Sequence, residues 1–124
     1  KGAVNSEVEL VLPSGDSLIS VVTNESVENL DLYENKDAYA IIKASSVILG
    51  RDLHSCRLSA GNILCGSVTK IVPGAVNTEV TVRLSGENTI SAIITNESAC
   101  LLGFTEGDHA CAVFQASSVI LGVE

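Results

Sequence analysis

Hydroxyl and amide side chains that could hold a small anion occur in a four-residue motif that the sequence contains twice. Residues 23–26 (TNES) return 72 positions later as residues 95–98. Asn24 and Asn96 are each predicted to cap a short helix with a glutamate in its first turn. Backbone N–H groups and hydroxyls at a helix start are donors that suit an oxyanion. Ordinary helix capping would use the same side chains, so the motif alone leaves both interpretations open.

The duplication extends over most of the chain. Residues 2–5 (GAVN) recur at 74–77 and residues 44–50 (ASSVILG) recur at 116–122, with the same offset of 72. Self-similarity at a fixed period indicates two copies of one module. We predict a first module at residues 1–50, a linker at 51–56 and a second module at 57–124. Modules of this size enclose little core, so we expect the two to pack together and the chain to form oligomers.

Composition limits the possible partners. The formal charge is −8 over 124 residues, with 46% hydrophobic and 3% aromatic residues. This charge repels nucleic acid and anionic membranes, and a single-strand-binding barrel would need more aromatic and basic residues. No apolar run is long enough for a membrane span, which favours a cytoplasmic protein. No set of nucleophile, base and orienting group suggests an enzyme.

Hydrophobic patterning predicts an all-β chain. Residues 4–12 and 76–84 alternate between apolar and polar side chains, as in half-buried strands, and turn-rich segments join each to a second strand. The predicted strands are 4–12, 17–22, 37–43, 47–49, 63–72, 76–84, 89–94, 108–115 and 119–121, and the helices are 25–30 and 97–102. This order describes two OB-like five-stranded Greek-key barrels.

The first barrel has only four predicted strands, because residues 51–72 have no counterpart in the first half. An open barrel edge is unfavourable. We therefore expect either an N-terminal strand that this sequence lacks or an edge that another strand in the assembly pairs with.

The cysteines and histidines show no metal-site spacing. Cys100 and Cys111 lie among apolar residues and are expected to be reduced core side chains rather than disulfide partners. Cys56 and Cys65 are not expected to form disulfides either. His54 and His109 are expected at the surface.

Several motifs in order resemble the molbindin (Mop) family of molybdate- and tungstate-binding domains, specifically its tandem two-module members. The motifs are GAVNTEV, TNES, ASSVILG and residues 58–66 (LSAGNILCG). The resemblance implies an OB-like barrel and binding of molybdate or tungstate at interfaces between modules. It also implies a homo-oligomer, with a trimer favoured over a dimer.

The resemblance implies two kinds of oxyanion site. The first would be lined by Thr23, Ser26, Lys43, Ala44, Ser45, Ser59, Gly61, Thr95, Ser98, Gln115, Ala116 and Ser117. The second kind, or alternatively a contact at the assembly axis, would involve Gly2, Ala3, Val4, Asn5, Gly74, Ala75, Val76 and Asn77.

Two cationic positions of the family are neutral in the second module. Gly61 stands where the family's opening motif has arginine, and Gln115 replaces the lysine that is kept as Lys43 in the first module. Hydrogen bonds to charged groups contribute about 1.5–3 kcal/mol each. We therefore expect Lys43 to serve the stronger sites, together with the hydroxyls of its own module, and Gln115 the weaker ones.

The sequence leaves three candidate functions for the protein. The first is storage or homeostasis of molybdate or tungstate, without catalysis and without direct metal-cation ligands. The second is the effector-sensing part of a molybdate-responsive transcription regulator. The third, binding of single-stranded nucleic acid, is disfavoured by the charge and the few aromatic residues.

Overall fold

The computed structural model describes residues 4–12, 15–51, 58–84 and 88–123. Its strands are β1 (Asn5–Val11), β2 (Ser17–Thr23), β3 (Tyr39–Ile42), β4 (Ile48–Gly50), β5 (Asn62–Pro73), β6 (Asn77–Arg83), β7 (Thr89–Thr95), β8 (His109–Phe114) and β9 (Val119–Gly122). Its helices are α1 (Asn24–Asn29) and α2 (Asn96–Leu102). Short 3-10 turns at Ala44–Ser46 and Ala116–Ser118 precede β4 and β9. The all-β prediction is confirmed, and both helices begin one residue earlier than predicted.

Alternating side chains produce the two hairpins. Val80 and Val82 of β6 are 1% and 0% exposed, whereas Glu79 of the same strand is exposed to solvent. β1 pairs with β2, and β6 pairs with β7, both antiparallel. The registers are also equivalent, because Asn5 faces Thr23 as Asn77 faces Thr95. The predicted hairpins are therefore confirmed, and each delivers its TNES motif to the same end of a strand pair.

The second module contains a five-stranded sheet in the order β4-β8-β5-β6-β7. Its long strand β5 pairs first with β8 and then with β6, and a register shift between Val68 and Lys70 lies within the second pairing. A bulge of this kind bends a strand and increases its twist, which helps a sheet to curve. Gly66 is required near this bend, because a Cβ there would lie 2.0 Å from the backbone oxygen of Arg83.

The two modules exchange their last strands. β4 is the last strand of the first half of the chain, but it pairs with β8 of the second half. β9 is the last strand of the second half, and it pairs with β3 of the first half. The repeat in the sequence predicts instead that each of these strands stays in its own module. The exchange means that the division at residues 51–56, which remains a prediction, separates the modules in sequence only.

The first module is less closed than the second. β1 and β2 form one two-stranded sheet, and β3 and β9 form another. Among the described residues, β5 has no counterpart that would join β1 to β3. The position that β5 occupies in the second module thus has no strand in the described part of the first module.

One aliphatic core spans both modules. It includes Leu18 and Leu49 from the first half of the chain and Val68, Phe114 and Leu121 from the second. Phe114 is the largest fully buried side chain. Burial contributes roughly 25 cal/mol per Å² of apolar surface, so the shared core opposes separation of the two modules.

The prediction of reduced cysteines is wrong for Cys65 and Cys111; for Cys100 it is right about the free thiol and wrong about a core position. Cys65 and Cys111 face each other across β5 and β8 and form a disulfide, although 46 positions separate them in sequence. Cys100 is free and exposed on α2. The reason is strand register, which places residues opposite one another irrespective of their spacing along the chain. Cys56 and His54 lie outside the described residues, and His109 is exposed as expected.

Across the described ranges, no helix has both the length and the apolar character needed to cross a membrane.

Candidate functional site

Threonine, rather than the predicted asparagine, caps each helix. The side-chain oxygen of Thr23 accepts a hydrogen bond from the Ser26 backbone N–H at 3.1 Å, and its hydroxyl donates to Ser26 Oγ at 2.9 Å. Thr95 and Ser98 repeat both contacts at the same distances. Each threonine has extended backbone angles, as a residue before the first helical turn should. The serine hydroxyl accepts in this pair, so its own proton can be donated to a ligand.

The asparagine of each TNES motif joins the helix start to the GAVN segment. Asn96 Oδ1 accepts from Thr78 Oγ1 at 2.7 Å, and Asn96 Nδ2 donates to the Gly74 carbonyl oxygen at 3.1 Å. The backbone N–H of Asn96 also donates to the carbonyl of Val76. This is why asparagine does not cap: its amide group is occupied by the neighbouring strand.

The first module repeats this connection. Ser6 Oγ donates to Asn24 Oδ1, and the Asn24 N–H donates to the Val4 carbonyl at 2.8 Å. The structure therefore brings together TNES and GAVN, the two segments that were predicted to form separate kinds of site. Gly2 and Ala3 lie outside the described residues.

Gly74 closes a tight turn at the start of the second GAVN segment. Its N–H donates to the Asn77 carbonyl at 2.8 Å, and an added Cβ would lie 2.8 Å from that same oxygen. Ala75, Val76 and Asn77 follow in exposed positions. The close backbone approach requires glycine and leaves the small residues after it accessible.

A cleft of about 400 Å³ lies at the first helix start and is lined from both modules. Thr23 and Ser26 contribute from one side, and Ser117 and the first residues of β9 contribute from the other. The complete lining is Asn5, Val21, Val22, Thr23, Ser26, Leu30, Ser117, Val119, Ile120 and Leu121. The cleft between the modules is therefore lined by both hydroxyl groups and apolar side chains.

Strand exchange determines which turn meets which helix. The Ala116–Ser118 turn packs against β2, which ends at Thr23, and the Ala44–Ser46 turn packs against β7, which ends at Thr95. The expectation from sequence groups Thr23 with Lys43 and Ser45 of the same module. The structure instead places Gln115 and Ser117 on the Thr23 side, and Lys43 and Ser45 on the Thr95 side.

Gly61 lies next to the Ala116–Ser118 turn. A Cβ at this position would be 2.9 Å from the Ala116 Cβ, so the glycine lies directly against the turn that carries Ser117. Ser59 is exposed nearby in sequence. Both neutral replacements, Gly61 and Gln115, therefore belong to the Thr23 side of the molecule, while Lys43 belongs to the other side.

Two buried polar residues that sequence analysis did not select hold the modules in this arrangement. Asn62 Oδ1 accepts from the Ile19 N–H at 2.6 Å, and its Nδ2 donates to the Ile19 carbonyl at 2.8 Å. Ser20, which is 0% exposed, donates to the Val119 carbonyl at 3.0 Å. A signal existed for each, because a polar residue inside an otherwise apolar strand requires a buried partner.

The sequence profile of the TOBE domain matches residues 1–49 and 58–121, which is most of the chain. This chain belongs to the TOBE-domain family. The two matched segments correspond to the two halves of the internal duplication. The TOBE modules of this chain therefore contain the duplicated helix starts and turns described above.

Two relatives of this chain are molybdenum proteins by name. The chain is 43% identical over 122 residues to the molybdenum-pterin-binding protein MopA of Rhodobacter capsulatus, covering 98% of this chain and 46% of that protein. It is 40% identical over 122 residues to the molybdenum transport protein ModE of Azotobacter vinelandii, covering 98% and 45%. The chain thus spans a little under half the length of these relatives. The resemblance to the molbindin family is confirmed.

A solved structure matches the complete chain. It is the cytoplasmic molybdate-binding protein ModG in a form with molybdate bound, with a TM-score of 0.95 and 48% identity. The match covers 100% of this chain and 88% of that one. The predicted fold class of tandem OB-like barrels is therefore confirmed.

Proposed function

We propose that this chain binds molybdate or tungstate reversibly, for storage or homeostasis of the oxyanion. The observation that carries the proposal is the cleft in which Thr23 and Ser26 of one module face Ser117 of the other. Hydroxyl and backbone N–H donors can surround a tetrahedral dianion without a full counter-charge. Family membership and the likeness to a molybdate-bound relative support the choice of ligand.

The two sides of the chain should differ in affinity. The Thr23 side combines hydroxyl donors with the neutral Gly61 and Gln115, whereas the Thr95 side has Lys43 on the turn that packs against β7. A lysine adds a charge-assisted hydrogen bond to an anion. We therefore assign the stronger site to Thr95, Ser98, Lys43 and Ser45, which reverses the helix assignment made from sequence.

We further propose a homo-oligomer, with three chains favoured over two. Val4 is 68% exposed and its duplicate Val76 is 73% exposed; Ile48 and Ile120 are 65% and 61% exposed. Apolar side chains exposed at duplicate positions are suited to contacts between copies of the chain. The GAVN segments could then contribute their backbone to a second kind of oxyanion site at these contacts.

We propose a cytoplasmic location, as in the structural relative ModG. The Cys65–Cys111 disulfide is a feature that cytosolic proteins seldom keep. Titration of free thiols in denatured protein, isolated with rapid thiol blocking, would show whether the pair is oxidised in the cell.

Calorimetric titration tests the ligand assignment. We expect saturable heat with molybdate and with tungstate, much weaker binding of the smaller sulfate, and no heat with a single-stranded oligonucleotide. The oligonucleotide is expected to fail because the chain carries −8 formal charge and 3% aromatic residues. Absence of heat with both metalates would reject the proposal.

A second candidate is the effector-sensing part of a molybdate-responsive regulator. Its support is the 40% identity to ModE, of which this chain spans 45%. The length of the complete gene product, followed by a test of metalate-dependent DNA binding by that product, separates this candidate from a storage protein.

A further inference from the structure

The cleft at the first helix start would have to hold an anion with neutral donors. Its described lining residues include no charged side chain, and their hydroxyl groups come from two directions. Thr23 and Ser26 lie at the end of β2 and in α1, whereas Ser117 lies in the turn that precedes β9. Binding by neutral donors depends on their spacing, so the contacts that fix the two sides of the cleft relative to each other matter for the site.

A buried hydroxyl joins the two sides of the cleft. Ser20 of β2 is 0% exposed, and its Oγ donates to the Val119 carbonyl oxygen at 3.0 Å. Ser20 lies three residues before Thr23, and Val119 lies two residues after Ser117 and itself lines the cleft. The hydrogen bond therefore connects β2 to the segment that carries Ser117, and its burial strengthens it relative to a bond in water.

The start of β5 contacts both sides as well. The Asn62 side chain accepts from the N–H of Ile19, the residue before Ser20, at 2.6 Å and donates to its carbonyl oxygen at 2.8 Å. The neighbouring Gly61 lies against Ala116, because an added Cβ would be 2.9 Å from the Ala116 Cβ. Residues 61–62 thus connect β2 to the turn, and together with the Ser20 bond they hold the two sides at one separation.

The other side of the chain differs at the equivalent positions. The internal copy of Ser20 is Ala92 and that of Val119 is Val47, and both copies are buried in the core. Alanine has no side-chain donor, so Ala92 and Val47 cannot form a hydrogen bond like that of Ser20. Alanine at the copy also indicates that this core position accepts the smaller side chain. The hydrogen-bonded junction is therefore a property of the Thr23 side.

We propose that Ser20 is a positioning residue that makes the Thr23 side selective for the larger metalates over sulfate. The inference rests on the proposed function and adds a cause of selectivity to it. Donors held at one separation contact an anion of matching size from both sides, whereas the smaller sulfate makes full contact with one side only. Without the Ser20 bond the two sides would close around the smaller anion, and the size preference would decrease.

Removal of the Ser20 hydroxyl tests this role. The complete chain with Lys43→Ala and Ser98→Ala is the background, because these changes remove two donors assigned to the Thr95 side. In this background we expect Ser20→Ala to weaken molybdate binding by about three- to tenfold, the equivalent of one hydrogen bond, and to leave sulfate binding unchanged or stronger. Molybdate calorimetry with and without excess sulfate measures both affinities. Ser20→Cys, which has a weak donor in place of the hydroxyl, should lower the selectivity by a smaller factor.

Ser91→Ala is the matched control. Ser91 Oγ lies 3.1 Å from Thr81 Oγ within the β6–β7 hairpin, so this pair does not connect the two sides of the cleft. Loss of the Ser91 hydroxyl should lower the urea midpoint, as loss of the Ser20 hydroxyl does, but leave the ratio of molybdate to sulfate affinity unchanged.

The outcomes separate this inference from the proposed function. An unchanged affinity ratio for Ser20→Ala, or an equal change for Ser91→Ala, would overturn the inference while metalate binding itself persists. Loss of all metalate binding in the Lys43→Ala, Ser98→Ala background would overturn it too, because the Thr23 side would then bind nothing. Absence of metalate binding by the unaltered chain would instead reject the proposed function, and this inference with it.

Discussion

Thr23 and Thr95 have a structural task before any ligand binds. Each threonine oxygen accepts from the backbone N–H of the serine three residues later, and each hydroxyl donates to that serine's Oγ. The threonines thereby fix the orientation of Ser26 and Ser98. We infer that the serines are the principal hydroxyl donors to the anion, and that the threonines position them.

Lys43 and Gln115 occupy equivalent positions and give a direct test of the two sides. We predict that Lys43→Ala weakens metalate binding at the stronger site by about tenfold to a hundredfold, the equivalent of a lost charge-assisted hydrogen bond of about 1.5–3 kcal/mol. Gln115→Ala should change binding much less, because no charge is lost. Calorimetry on both variants measures the difference.

The pairing of sites can be tested with the same lysine. Lys43→Ala combined with Ser98→Ala should be non-additive, because both residues are assigned to one site. Lys43→Ala combined with Ser26→Ala should be additive. The reverse pattern would show that each turn serves the helix of its own half of the chain.

At the scale of elements, Arg51 attaches the exchanged strand β4 to the second module. Its Nε donates to the Leu102 carbonyl at 2.7 Å, and its Nη2 donates to the Gly103 carbonyl at 2.9 Å and to Asp108 Oδ2 at 3.1 Å. The guanidinium also lies 4.6 Å from the centre of the Phe104 ring. Gly103 caps the C-terminus of α2 in the left-handed backbone conformation, with φ of +61°. Arg51 therefore donates to carbonyl groups at the C-terminal end of this helix.

Asp108 links this attachment to pH. Its pKa lies below the ordinary value of 3.8 because the Thr105 backbone N–H and the Arg51 guanidinium donate to the carboxylate. A lowered folded-state pKa stabilises the fold above pH 3.8, and this contribution is lost as pH falls through the folded pKa. We predict that Asp108→Asn lowers the urea midpoint at pH 7 and that its difference from wild type shrinks in acid.

The exposed Asp37 provides the control for this measurement, because Asp37→Asn removes a carboxylate away from Arg51. The difference in urea midpoint between Asp37→Asn and wild type should stay small both at pH 7 and in acid. A difference for Asp108→Asn that persists unchanged well below pH 3.8 would mean that the charge of Asp108 contributes nothing to stability.

At the scale of the whole molecule, one chain already resembles a pair of subunits. The modules share a core, exchange β4 and β9, and are joined by the Asn62 amide and the Ser20 hydroxyl. Contacts between modules are consequently present within one chain. Association of several chains would repeat such contacts at the exposed duplicate positions around Val4 and Val76.

Native mass spectrometry tests this assembly. We predict a principal species near three times the chain mass of 12.9 kDa, and additional mass in whole units of the oxyanion after incubation with molybdate. Val76→Lys should dissociate the assembly, because Val76 is 73% exposed and a charge would oppose an apolar contact. Thr69→Lys, an exposed change on β5, is the control. A monomer at micromolar concentration in all samples would reject the assembly.

The sequence by itself determined the local structure of this protein. Alternation over residues 4–12 and 76–84 predicted β1 and β6, and the turn-rich segments predicted the hairpins. These features depend on side chains that are close together in the chain, and most of them occur in both copies of the repeat. The motifs that carry the resemblance were sufficient for the family and the fold class.

Only the tertiary structure decided which copy of each motif meets which. Because β4 and β9 are exchanged, Ser117 lies near Thr23, and strand register places Cys65 opposite Cys111. The side chain of Asn96 hydrogen-bonds to the neighbouring strand, and Thr95 caps the helix instead. Two equivalent modules offer equivalent partners to each strand and turn, so local pattern cannot distinguish pairing within a half from pairing between halves. Packing of the shared core makes that choice.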